Sequence, residues 1–126
     1  MIFKKFEDMD IWREGRSLVK DVYDQTSSAP FSKDRGLREQ VQRAVVSICS
    51  NIAEGYSRRG NKEFVKFLWI AKGSAAEAQS QLYHALDVGY LDESDFKVLY
   101  DRLTNLQIKI FRLIQTLSEK IERQKL

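Results

Sequence analysis

Arg58, Arg59, Lys62 and Lys66 gather four cations in and just after the loop GYSRRGN. Guanidinium forks and ammonium groups crowded in this way suit phosphate. Between Arg58 and Lys72, five basic residues stand against Glu63 alone, a local charge of +4 in a chain whose net charge is +3. The remainder is therefore slightly acidic, and the basicity is local. The cluster falls at the amino-terminal end of a predicted helix, where the helix dipole favours anions and opposes nearby cations. Cations placed against that preference, beside unpaired backbone amides, are expected where a site needs them. Tyr56 just upstream could stack on a base. The competing reading is a solvated loop, because a net charge of +3 alone does not imply a nucleic-acid partner.

Other chemistry finds few residues to support it. A di-iron centre in a helical bundle uses carboxylates with Glu-x-x-His pairs. His84 is the one histidine, and Gln81 occupies the position where such a pair needs Glu. No P-loop or dinucleotide fingerprint occurs. Cys49 lies in mid-helix among apolar neighbours, the setting of an inert packing thiol. The expectation is a non-enzyme with no catalytic residue, no metal and no cofactor. One cysteine excludes an internal disulfide and fits a reducing cytoplasm. No apolar run approaches the roughly 18 residues that span a bilayer, and the start MIFKKFEDMD lacks the apolar core of a signal peptide. A soluble cytoplasmic protein with no membrane partner is expected.

The elements that must position these residues read as helices, since one proline and six glycines leave few breakers. On the second helix Val41, Val45, Ile48 and Ile52 form a core stripe, while Gln40, Ala44, Ser47, Asn51 and Glu54 form a polar or small stripe about 100° away. Polar groups beside a core need partners. Arg43, Asn51, Glu54 and Glu77 are therefore expected to form a structural polar network that fixes helix register. The spacing predicts helices at about 9–27, 33–55, 62–88 and 93–124 within one domain, 1–126. Asp8 or Asp10, Ser32, Asn61 and Asp92 are the expected caps, with Gly55 closing the second helix. Short connections make neighbours antiparallel, so the predicted fold is an all-α, up-down-up-down four-helix bundle.

The third helix carries its core on Phe64, Leu68, Ala71, Ala75, Ala78, Leu82 and Ala85. A second apolar stripe, Val65, Trp69, Ala76 and Tyr83, lies about 100° away. It reads either as a wide core face or as a subunit interface. The run Gly73-Ser74-Ala75-Ala76 would let another backbone approach, and Trp69 would anchor it.

Taken in order, several segments resemble the four-helix-bundle family named after proteins encoded in intervening sequences of 23S ribosomal RNA genes. The resemblance runs through Phe6-Glu7-Asp8-Met9, Trp12, Gly36-Leu37, Gln40, Arg43-Ala44, Ser47-Ile48 and Asn51-Ile52-Ala53-Glu54-Gly55. It continues through Ser57-Arg58-Arg59, Glu63-Phe64, Phe67-Leu68, Ile70-Ala71, Gly73-Ser74, Glu77 and Gly89-Tyr90-Leu91. Cys49 stands where members often have proline, and Pro30-Phe31-Ser32-Lys33 lacks the acidic residue they place soon after a proline. The resemblance implies a compact antiparallel bundle and a homopentamer, and distant relatives that accompany reverse transcriptases of diversity-generating retroelements bind nucleic acid. The combined expectation is a homo-oligomeric docking scaffold for RNA, DNA or a ribonucleoprotein. The alternative is a scaffold for a protein partner with no direct nucleic-acid binding.

Overall fold

The computed structural model describes residues 3–125 of the chain, so Met1, Ile2 and Leu126 of the expected 1–126 domain lie outside the described residues. Four helices carry the fold: α1 Asp10–Thr26, α2 Arg35–Ser57, α3 Asn61–Asp87 and α4 Glu93–Gln124. Short 3-10 turns at Phe6–Asp8 and Phe31–Lys33 precede α1 and α2. Each helix packs on the next, and α4 returns against α1. Side-chain contacts fix the directions. Cys49 meets the Trp12 carbonyl while Gln42 meets Thr26. Trp69 meets Phe111 while Gln79 meets Thr104. Glu14 pairs with Lys109 while Asp21 pairs with Arg102. In each pair of helices one number rises as the other falls, which makes every neighbour antiparallel and the whole an up-down-up-down bundle.

Burial follows the stripes. All seven predicted core positions of α3, from Phe64 to Ala85, are buried, with Val41, Val45, Ile48 and Ile52 of α2 and Ile11, Gly15, Leu18 and Val22 of α1. On α4 the stripe runs through Leu99, Leu103, Leu106 and Ile110 and then shifts to Ile114, leaving Leu113 half-buried. The step is local to one turn, since Leu117, one heptad after Ile110, is again fully buried.

Several termini differ from the sequence expectation. Asp34, not Ser32, caps α2 by accepting a hydrogen bond from the Leu37 amide at 3.1 Å. Ser32 is held inside the preceding 3-10 turn. Gly60, not Asn61, precedes α3, and Met9 precedes α1 with no side-chain cap at either place. Asp92 does cap α4, accepting from the Asp95 amide at 2.7 Å. Gly55 does not end α2, which continues to Ser57. Its purpose is close approach: a Cβ there would sit 2.6 Å from Phe67 Cβ, so α2 and α3 converge on a position without a side chain.

Candidate nucleic-acid interface

The α2–α3 turn is built to hold its cations outward. The Arg58 amide donates to the Gly55 carbonyl at 3.3 Å and the Arg59 amide to that of Tyr56 at 3.2 Å, closing the last turn of α2. Arg59 then adopts the left-handed conformation, φ 61°. That conformation costs a side-chain-bearing residue roughly 1 kcal/mol. Gly60 follows, extended at φ −136° and ψ 140°, and its carbonyl accepts from the Phe64 amide at 3.0 Å. Because Gly60 has no side chain, none caps the first amides of α3, and these are anion-ready donors.

The two arginines diverge. Arg58 lies over the Phe67 ring at 5.1 Å and stands 3.7 Å from Glu54, so its charge is partly committed within the chain. Arg59 lines a groove on another side of the turn. Lys62 and Lys66 are exposed and four residues apart on α3, which puts them on one face. Among the described residues, no carboxylate lies within ion-pair distance of Arg59, Lys62 or Lys66.

The groove has a volume of about 660 Å³ and runs between the segment Phe3–Glu7 and the turn Tyr56–Asn61. Tyr56, Phe64, Phe3 and Phe6 supply apolar wall, while Lys4, Lys5 and Arg59 supply charge against Glu7. The Tyr56 hydroxyl donates to the Phe3 carbonyl at 2.5 Å, and its ring meets Phe64 edge-on at 6.1 Å. Tyr56 is thus a half-buried wall of the groove, not a free stacking platform. Sequence reasoning placed no weight on Lys4 and Lys5. Their adjacency was a visible signal, but only the fold brings them to a turn more than fifty residues away.

The apolar stripe of α3 lies outside the core. Val65 is half-buried, Ala76 is exposed, and Trp69 and Tyr83 keep 49% and 47% of their surfaces open, so the wide-core reading fails for both aromatics. They join residues of α4 in a ridge. Trp69 meets Phe111 at 5.9 Å, with the Lys72 ammonium over its ring, and Tyr83 meets Phe96 and Tyr100 at 4.8 and 5.5 Å. Ile108 adds further exposed apolar surface on α4.

The polar network is smaller than expected. The Asn51 amide donates to the Ser47 carbonyl and hydroxyl at 2.8 and 3.0 Å, and the Ser47 and Ser74 hydroxyls share a hydrogen bond of 2.9 Å across α2 and α3. Arg43, Glu54 and Glu77 are exposed and do not join it. Glu54 instead accepts from Ser57 at 3.1 Å, on its own helix, and faces Arg58 just after it. The physical reason is angular: the seam admits the small Ser side chains and Asn51, while Glu54 and Arg43 project past it to solvent.

The thiol of Cys49 contacts the Trp12 carbonyl at 3.8 Å, and burial pushes its pKa up to about 11. Such a thiol is almost wholly protonated at neutral pH and is a poor nucleophile. His84 is exposed near the end of α3.

The sequence matches the family model described as 23S rRNA-intervening sequence protein over residues 7–112. Among solved structures, the chain resembles a protein of unknown function from the S23 ribosomal protein family of Bacteroides thetaiotaomicron. The TM-score is 0.75 at 18% identity, covering 82% of this chain and 97% of that one. At that identity the likeness speaks to the fold. No curated protein matches the sequence.

Proposed function

The chain belongs to the 23S rRNA-intervening sequence protein family, and from that premise and the turn's geometry we propose that it is a non-enzymatic, homo-oligomeric docking protein that engages nucleic-acid phosphates. The carrying observation is the turn itself. Arg59, Lys62 and Lys66 have no carboxylate in reach among the described residues, and they stand beside helix-end amides that no side chain caps. Phosphate contacts position RNA or DNA without reading its sequence, so the expected binding is salt-sensitive and tolerant of sequence. The partner is RNA, DNA or a ribonucleoprotein in the cytoplasm.

Assembly strengthens a weak single turn. A closed ring needs two different faces on each subunit. The aromatic ridge along α3 and α4 supplies one. On the other flank of α3, Ile70 is 46% exposed and Gly73 is open, beside the Ser47–Ser74 seam. This pair of faces supports head-to-tail assembly, and in the pentamer that the resemblance implies, the local charge would sum to about +20 around the ring.

The test is a charge reversal. Arg59→Glu, Lys62→Glu and Lys66→Glu together should abolish binding of a fluorescent oligonucleotide at low salt while light scattering reports the same oligomer. Retained binding rejects the turn as the contact. Salt-resistant association with one protein, in place of nucleic acid, favours the protein-scaffold alternative.

A further inference from the structure

We propose that the groove beside the basic turn receives one unpaired base of a single-stranded nucleic acid, with the flanking phosphates held by Lys4, Lys5 and Arg59. This rests on the nucleic-acid reading above and adds the form of nucleic acid recognised and the place where it is held.

Three features converge on that occupant. Phe3 and Phe6, both half-buried, present ring surface to the groove beside the tethered Tyr56, with the buried Phe64 beneath them as its floor, and every base offers a π-face to such rings. The lip is cationic, with Lys4 and Lys5 on one bank and Arg59 on the other, against the single carboxylate of Glu7. A volume of about 660 Å³ lies within the ~300–1,000 Å³ of small-molecule sites, room enough for a nucleotide. An acidic peptide would satisfy the lip but leave the aromatic walls without a flat partner. A duplex would satisfy the phosphates, but its bases are stacked and paired and cannot enter without being extruded.

The groove is also held in shape. The Tyr56 hydroxyl ties the Phe3 carbonyl to α2, and Phe6 meets Trp12 of α1 edge-on at 5.0 Å, which fixes the bank carrying Lys4 and Lys5. On the opposite bank Arg59 takes the left-handed conformation that ends α2, directly after its C-cap Arg58, and so the turn holds it on the lip of the groove. Of the first bank, Phe3, Lys4 and Lys5 precede the residues that the family model matches, whereas Glu7 lies within them.

The experiment compares three probes of equal length by fluorescence anisotropy at one low salt concentration: a single strand, the same backbone with abasic sites, and a duplex. The single strand should bind about tenfold more tightly than the abasic strand, the size of one good stacking contact. Ser57, exposed on the groove wall, can be changed to fill it. Ser57→Leu, which narrows the groove without offering a π-face, should reduce that tenfold preference, with circular dichroism confirming the fold. Lys4→Ala with Lys5→Ala, at exposed positions, should weaken the single strand. Equal binding of single and abasic strands, tighter binding of the duplex, a preference undiminished in Ser57→Leu, no effect of the lysine pair, or equal displacement by polyglutamate of matched charge would each overturn the groove inference while the docking function stands. Failure of all three probes to bind would overturn both.

Discussion

Arg58 and Arg59 are adjacent in sequence and serve different ends. Arg58 is partly spent on Phe67 and Glu54, while Arg59 occupies a left-handed position on the groove. Arg59→Gly should relieve the backbone penalty and raise stability by up to about 1 kcal/mol while weakening oligonucleotide binding. Chemical denaturation and anisotropy check the two halves, and a loss of stability would show that the arginine side chain holds the turn. The polar stripe gives a second contrast. Asn51→Ala removes two hydrogen bonds at a half-buried seam and should cost about 1 kcal/mol. Glu54→Ala touches exposed partners only and should stay within about 0.5 kcal/mol by the same denaturation assay. Which polar residues sit beside the core was legible in the helical spacing. Which of them bond across the seam was not, because a rotation of some tens of degrees separates Asn51, turned back to its own helix, from Glu54 in solvent.

At the scale of elements, the long stripes were readable and the joints were not. The seven inward residues of α3 follow from period alone, because burial selects apolar side chains at every inward turn. Joints depend on contacts from elsewhere. Asp34 caps α2 and also accepts a hydrogen bond at 3.0 Å from the hydroxyl of Tyr90, which lies just after α3. That hydrogen bond raises the Tyr90 pKa above its ordinary value. No local rule distinguishes Asp34 from Ser32 without this distant tyrosine. Asp34→Ala should therefore cost about 1–2 kcal/mol, whereas Ser32→Ala should be close to neutral, as thermal melts of the two variants would report. Gly55 carries the same lesson. A glycine near a helix end looked like a terminator, and it is instead a crossing point where Phe67 would collide with any Cβ.

For the whole molecule, antiparallel order followed from helical spacing and short connections, whereas the groove required the amino-terminal segment to fold back over the α2–α3 turn, a placement that no local pattern encodes. Assembly stands between these cases. The second stripe of α3 announced an unpartnered face, and α4 completes it with Phe111, Phe96 and Tyr100. Trp69 and Tyr83 are about 21 Å apart along the helix axis, a span suited to a helix of a second copy. Trp69→Glu should lower the oligomer order measured by light scattering at micromolar concentration, and an unchanged mass would remove this ridge from the interface. Phosphate binding by the basic turn is read in the salt dependence of wild-type affinity for a single-stranded oligonucleotide. The logarithm of the association constant should fall linearly with the logarithm of salt concentration, by about 0.7 for each phosphate engaged, with little change between base sequences. An affinity indifferent to salt, or no binding at low salt, would mean that the turn does not engage phosphates.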